Sequence, residues 1–304
     1  MKLRHIISAR QFDTKTLQKL FSLTDKIKAG NYNKKVLSGK IMATIFYEPS
    51  TRTRLSFESA MIRLGGSVIA TENAADFSSA IKGETLEDTI RIASGYSDVI
   101  VLRHHSPGAS QTAAKYAKVS IINAGDGTGE HPTQALLDLY TIFSKFKKTN
   151  ITVAMMGDLL NGRTIHSLSR LLILYPKIKQ ILISPKALVI PNDLREELKI
   201  KHINFTELED LAKGVREADV IYQTRIQKER LKSVRVYKKY FGKYVINNNS
   251  LKYMKKTAVI MHPLPRVNEI TPDVDADKRA LYFQQAQNGL YVRMALLLFL
   301  FDKS

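Results

Sequence analysis

The run Ile41-Met42-Ala43-Thr44-Ile45-Phe46-Tyr47 leads into Ser50-Thr51-Arg52-Thr53-Arg54, and a helix pattern follows at once. Phe57, Ala60, Met61 and Leu64 fall at i, i+3, i+4 and i+7, the spacing of one apolar helix face, and Gly65-Gly66 supplies a stop. The stretch reads as strand, polar turn and helix, the unit from which parallel α/β sheets are built. The turn also has the makings of an anion site. A helix start presents free N–H groups and the positive end of its dipole. Hydroxyls add hydrogen bonds, and arginine adds a two-pronged fork suited to phosphate. The same residues also fit an ordinary Ser/Thr cap with solvated arginines, and this segment alone does not choose.

The alternation continues along the chain. Apolar, β-branched runs mark strands at Ile41–Tyr47, Val99–Arg103, Val119–Asn123, Ile151–Gly157, Ile181–Ser184, Val220–Gln223 and Val259–Met261. Amphipathic stretches mark helices at Arg52–Leu64, Thr85–Ser94, Ser110–Ala117, Pro132–Lys145, Arg163–Leu174, Leu208–Glu217 and Tyr282–Phe301. The expected class is α/β, with two doubly wound domains whose parallel sheets are covered by helices on both faces. A chain of 304 residues is long for one core, so two domains of about 150 residues are expected. The polar, basic stretch Lys145 to Asn150 precedes a fresh strand and marks the boundary, giving domains at residues 1–145 and 146–281.

Composition narrows the function. Apolar content of 44% and charge of 25% are globular values. The absence of cysteine excludes a disulfide scaffold, a thiol nucleophile and a thiolate metal site. Met1 to Phe12 lacks a signal-peptide core, and the apolar run Met294 to Phe301 is too short to span a bilayer. A cytoplasmic protein with no membrane partner is therefore expected. The net charge is +19, and between Arg225 and Lys256 eleven Lys or Arg residues face one acid, Glu229. Basic stripes occur in nucleic-acid binders, but no nucleic-acid motif accompanies this one. It reads as a solvated surface, or as a field that attracts small anions.

Ligands on doubly wound sheets bind beyond the carboxyl ends of the strands. Polar clusters stand at five such ends: Arg103-His104-His105, Asn123 to His131, Gly157 to Arg163, Gln223-Thr224-Arg225 and His262 to Arg266. His131 follows the turn Gly125-Asp126-Gly127-Thr128-Gly129 and opens a helix. It fits either a residue satisfied by a nearby carbonyl or a donor to a polarised carbonyl oxygen. Gly157-Asp158-Leu159-Leu160-Asn161-Gly162 fails the G-x-G-x-x-G spacing, and no G-x-x-x-x-G-K-[ST] loop is present, so neither NAD nor ATP binding has support. In His262-Pro263-Leu264-Pro265-Arg266 two prolines fix the backbone. The segment is either a rigid turn or a set of oriented main-chain acceptors.

Several segments together resemble the aspartate carbamoyltransferase family, over almost the whole chain. They are Phe46 to Glu58, Lys82-Gly83-Glu84-Thr85, His131-Pro132-Thr133-Gln134-Ala135-Leu136-Leu137-Asp138, Gly162-Arg163-Thr164, Thr224 to Arg230, and His262 to Arg266. The first and third occur in carbamoyltransferases generally. The ornithine enzymes characteristically carry a cysteine in the His-x-Leu-Pro segment and a Ser-Met-Gly motif, and this chain has neither. The resemblance implies carbamoyl transfer from carbamoyl phosphate to L-aspartate, without cofactor or metal. It implies that residues 1–145 bind carbamoyl phosphate, that 146–281 bind aspartate, and that the helix within 282–304 packs back on the first domain.

The resemblance also assigns roles. Ser50, Thr51, Arg52, Thr53 and Arg103 hold the phosphate. Thr53, Arg103 and His131 face the carbonyl oxygen. Gln134 and the carbonyls around Pro263 and Leu264 hold the carbamoyl NH2, and Arg163, Arg225 and Gln227 take the aspartate carboxylates. Glu48 bridges to Arg163 and Arg230 on domain closure. Ser78 and Lys82 lie on a loop that reaches a neighbouring subunit's site, which implies a homotrimer with shared active sites. A separate zinc-containing regulatory chain is compatible with the resemblance and could not be housed within this chain. Two alternatives stand beside it: transfer to another amino acid, and a basic nucleic-acid-binding protein motivated by charge alone.

Overall fold

A computed structural model of the chain describes residues 3–72, 83–231 and 234–303. Two compact units emerge, residues 1–140 with 287–304, and residues 141–286. The first holds strands β1 (Ile41–Phe46), β2 (Ser67–Glu72), β3 (Val99–His104) and β4 (Ser120–Asp126), all parallel, in the order β2-β1-β3-β4. Helices α1 (Thr14–Lys28), α2 (Thr51–Arg63), α3 (Leu86–Tyr96) and α4 (Ala109–Tyr116) accompany them. Val99, Ile100, Val101 and Leu102 of β3 are wholly buried. A strand covered on both faces reads as a continuous apolar run for this reason.

The second unit holds β5 (Thr152–Met156), β6 (Lys179–Ile183), β7 (Phe205–Leu208), β8 (Val220–Gln223) and β9 (Val259–Met261), parallel throughout, in the order β7-β6-β5-β8-β9. Its core gathers Ile181, Ile221, Ile260 and Tyr282. Helix α5 (Pro132–Phe146) opens before it. Then come α6 (Arg163–Leu172), α7 (Asn192–Ile200), α8 (Leu211–Glu217), α9 (Val234–Tyr240), α10 (Asn248–Leu251) and α11 (Tyr282–Leu300). Helices α5 and α11 each contribute residues to both units.

The parallel α/β architecture is as expected, and the differences lie at its edges. Strands β2 and β7 are outermost in their sheets. β7 has no buried residue, so it carries no apolar run to read. Leu208 ends that strand instead of starting a helix. α8 begins at Leu211, capped by Asp210, whose carboxylate accepts from the Lys213 N–H at 3.1 Å. Helices α1, α7, α9 and α10 were not among the expected helices. Asp13 caps α1, and Leu17, Leu20 and Ile27 are buried along one face.

Each sheet has one point where successive connections run in opposite directions. In the first unit it lies between β1 and β3, and in the second between β5 and β8. Such switch points leave a crevice beyond the carboxyl ends of the strands. At the second, Gly157 follows β5 with φ 115°, and the Thr224 N–H after β8 donates to the Met156 carbonyl at 2.9 Å. A Cβ on Gly157 would lie 2.1 Å from the Thr224 carbonyl oxygen. Gly157→Ala is therefore expected to destabilise the protein by about 2 kcal/mol or more, combining a disfavoured φ with a backbone clash. A urea midpoint equal to that of the parent chain would contradict this close approach.

Candidate active site

The first switch point is built from the exits of β1 and β3. Phe46 and Arg103 are paired in register, and the Tyr47 N–H donates to the Arg103 carbonyl at 2.8 Å. Six residues after β1 ends, Arg52 is therefore already in the first turn of α2. Ser50 stands at the N-cap but makes no side-chain capping bond, so its hydroxyl is not used as a cap. The two arginines of the turn have different fates. The Arg54 Nε donates to Glu58 at 2.8 Å, and Glu58 also accepts from the Thr44 hydroxyl at 2.9 Å. Arg54 is thereby part of the scaffold. Arg52 and Thr51 are exposed, and partial burial of the Arg52 guanidinium depresses its pKa. Thr53 is buried on the same helix.

Arg103 donates to the Ala124 carbonyl at 3.1 Å and pairs with Glu48 at 3.2 Å. Glu48, assigned by resemblance to closure, thus has a partner within its own unit. His104 stacks on His105 with ring centroids 4.2 Å apart. Burial and the charge of His105 pull the His104 pKa down to about 4. Its Nδ1 accepts from the Ser106 N–H at 3.0 Å, which requires an unprotonated nitrogen there.

His131 precedes α5 and is 4% exposed, with the Thr133 hydroxyl 3.4 Å from its Nδ1. The turn before it is held by Asp126, which accepts from the N–H groups of Glu130 at 2.8 Å and Gly108 at 3.2 Å. Burial raises the Asp126 pKa, against the pull of those N–H bonds. One turn along α5, the Gln134 amide nitrogen donates to Asp138 at 2.8 Å.

The second unit carries the other candidates. Asp158, wholly buried after β5, accepts from the Asn161 N–H at 3.0 Å and the Gln227 N–H at 3.4 Å. The Gln227 amide donates to the Asn161 carbonyl at 3.1 Å. Asp158 thus ties the loop before α6 to the segment after β8, the two segments that carry Arg163 and Arg225. Burial raises its pKa, while these N–H bonds and the charge of Arg230 act to lower it. Arg163 is buried at the start of α6, and Arg225 is half-buried.

The segment after β9 is more organised than a rigid turn. The Leu264 N–H donates to His262 Nδ1 at 2.7 Å, so the ring proton of neutral His262 is on Nε2, which lies 2.9 Å from Glu269. Glu269 also accepts from the N–H groups of Val267 and Asn268. Burial opposes the Glu269 carboxylate, but the hydrogen bond from His262 and those from the main chain prevail and hold its pKa below the usual value. Leu264 sits at φ 53°, a region non-glycine residues seldom occupy outside special sites. Pro263 and Leu264 are thereby fixed from below by His262.

Ser78 and Lys82 lie outside the described residues. The sequence reading missed the carboxylates beneath the loops. Asp126, Asp158 and Glu269 stand in or beside the motifs, but an isolated acid in a loop gives no signal of what it accepts. Asp138 had one available signal, its position four residues after Gln134 on a helix.

Residues 4–144 match the family described as aspartate/ornithine carbamoyltransferase, carbamoyl-P binding domain, and residues 149–300 match its Asp/Orn binding domain. The chain is 53% identical over 301 residues to aspartate carbamoyltransferase 2, chloroplastic, of Pisum sativum, covering 97% of this chain and 78% of the pea protein. The catalytic subunit of M. jannaschii aspartate transcarbamoylase superposes with a TM-score of 0.90 at 46% identity, covering 99% of each chain. Aspartate transcarbamoylase from Trypanosoma cruzi, in complex with carbamoyl phosphate and aspartate, gives a TM-score of 0.90 at 42% identity, covering 97% of this chain and 96% of that one. The chain belongs to the aspartate/ornithine carbamoyltransferase family, as an aspartate carbamoyltransferase catalytic chain.

Proposed function

We propose that the chain transfers the carbamoyl group of carbamoyl phosphate to the amine of L-aspartate, giving N-carbamoyl-L-aspartate and phosphate, the committed step of pyrimidine synthesis. One observation carries this reading. The residues matching the family's phosphate and aspartate motifs lie at the switch points of their own sheets, in a chain similar over nearly its full length to an enzyme crystallised with both substrates. The amine lone pair attacks the carbonyl carbon and charge moves onto the carbonyl oxygen. The charge returns as the bond to phosphate breaks, and the amine proton leaves with the phosphate. The chain's part is to orient the reactants and stabilise that oxygen.

In this reading Ser50, Thr51, Arg52, Thr53 and Arg103 bind the phosphate of carbamoyl phosphate. Thr53, Arg103 and His131 donate to the developing oxyanion. Gln134 and the main chain at Pro263 and Leu264 hold the carbamoyl NH2. Arg163 and Arg225 supply one guanidinium fork for each aspartate carboxylate, and Gln227 adds a hydrogen bond. Ser78 and Lys82 act in a neighbouring subunit's site, in a homotrimer. Glu48 and Arg230 serve closure. We place the enzyme in the cytoplasm. A bound regulatory chain would raise the solution mass of the co-purified enzyme above that of the homotrimer.

Initial rates with carbamoyl phosphate and either aspartate or ornithine test the reading directly. Product is expected with aspartate alone, and preference for ornithine would overturn it. His131→Ala should lower kcat by about a hundredfold, the usual loss for one donor to an oxyanion, while Arg52→Ala should damage both KM for carbamoyl phosphate and kcat. Turnover near the parent value in His131→Ala would remove that residue from the mechanism. The shared site is tested by mixing Arg52→Ala and Lys82→Ala chains, each nearly inactive alone. Hybrid trimers should regain activity, because some sites then draw both intact residues from different chains. Hybrids proven by mass yet inactive would sink the assignment of Lys82.

A further inference from the structure

Helix α11 buries a guanidinium that the family motifs quoted above do not include. Arg293 is 3% exposed, and its Nε is buried without a hydrogen-bond partner. Its guanidinium carbon stands 5.1 Å from the centre of the Phe57 ring, on the face of α2 that also buries Thr53. A cation placed this way is an expensive piece of scaffold, since burial without good pairing outweighs what the charge gains. The local sequence nevertheless makes room for it. Gly289 lies one turn earlier, and a Cβ there would come within 2.4 Å of Arg293 Nη1 and 3.0 Å of the Leu137 side chain. The bare backbone at Gly289 lets Arg293 lie back towards Leu137 and Asp138 of α5.

Asp138 is wholly buried, and its charge acts on Arg293. Burial lowers the Arg293 pKa to about 10, which still leaves it charged at neutral pH. The Asp138 carboxylate accepts from Gln134 at 2.8 Å. A carboxylate can only accept, so the Gln134 group facing it must be the NH2. The amide oxygen of Gln134 is then the end available to a ligand, and it can accept a hydrogen bond but not donate one.

We infer that Arg293 is a positioning residue for the carbamoyl group: its charge stabilises the buried Asp138 carboxylate, and Asp138 sets the Gln134 amide with its oxygen presented to the NH2 of carbamoyl phosphate. The inference rests on the carbamoyl-transfer reading and on the place of Gln134 in it. It explains why the helix tolerates a buried cation, and why the residue facing that cation sits four positions after Gln134.

Steady-state kinetics of the full chain test it. Arg293→Met and the near-isosteric Asp138→Asn should each lower kcat/KM for carbamoyl phosphate by about tenfold, the worth of one well-placed hydrogen bond. KM for aspartate should change less. Arg293→Lys, which restores the charge, should recover most of the loss. Combined with Gln134→Ala, neither substitution should add a further loss, because its effect acts through that amide. Losses that add in the double variants would show a merely structural role and overturn the inference. Unchanged carbamoyl phosphate kinetics in Asp138→Asn would overturn it too, and that variant keeps the test alive if Arg293→Met does not fold. An inactive parent chain would instead defeat the carbamoyl-transfer reading on which the inference stands.

Discussion

Asp158 holds together two segments that are 66 positions or more apart in sequence, taking N–H bonds from Asn161 and Gln227 at the end of β5. Buried or half-buried carboxylates act in a similar way at several other candidate residues. Asp126 closes the turn before His131, Asp138 holds the Gln134 amide, and Glu269 steadies His262 beneath Leu264. Glu130 accepts from the Ala9 N–H at 2.7 Å and the Ser8 hydroxyl at 2.8 Å, which fastens the start of the chain beside His131. Loops carry ligands because they are free of the sheet ladder, but a free loop is too loose to place a donor within a few tenths of an ångström. A buried carboxylate accepting two or three N–H bonds supplies that rigidity.

The device carries a thermodynamic consequence with opposite signs at different positions. Asp126 and Asp158 have raised folded-state pKa values, so their ionised forms subtract from stability at neutral pH, and the penalty disappears as pH falls below the unfolded carboxyl value. Glu269 is lowered, so its contribution is present above the unfolded value and is lost as pH falls through the folded one. The loops beside His131 and Arg163 are thus held by carboxylates that the fold ionises at a loss. The turn at Leu264 is held by one that it ionises at a gain, because His262 Nε2–H and main-chain N–H groups donate to it. Regions that give up stability to keep a polar group fixed are commonly sites of function.

The legible part of this protein is the part dictated by periodicity and motif. Central strands such as β1 and β3 announce themselves because both faces are covered. β7 does not, because none of its residues is buried. The Ser50 to Arg54 turn is legible as an anion site, yet the sequence does not say which arginine serves it. That distinction is made by Glu58, which sits four residues after Arg54 and is drawn to Thr44 across the strand. The His262 segment shows a similar limit. Its prolines read as rigidity, while the Leu264 N–H to His262 bond and the positive φ of Leu264 are features that no propensity rule assigns to leucine. These partners are near in sequence, Glu58 four residues after Arg54 and His262 two before Leu264, but spacing alone does not say which of the possible local contacts forms.

Charge distribution joins these points to the reaction. The chain carries 47 Lys and Arg against 28 Asp and Glu, and several acids are withdrawn inside to hold loops. Asp126, Asp138 and Asp158 are each at most 1% exposed. Arg163, Arg170 and Arg293 are buried as well, so the net positive charge is carried mainly by the exposed lysines and arginines. Both proposed substrates are anions. A positive field of this kind raises their local concentration and falls with ionic strength, whereas the buried acceptors that fix the loops are screened far less. Capture and positioning thus draw on different charges, exposed cations for one and buried acceptors for the other, and respond differently to salt. Added salt should slow the encounter with substrate before it disturbs the geometry that turns substrate over.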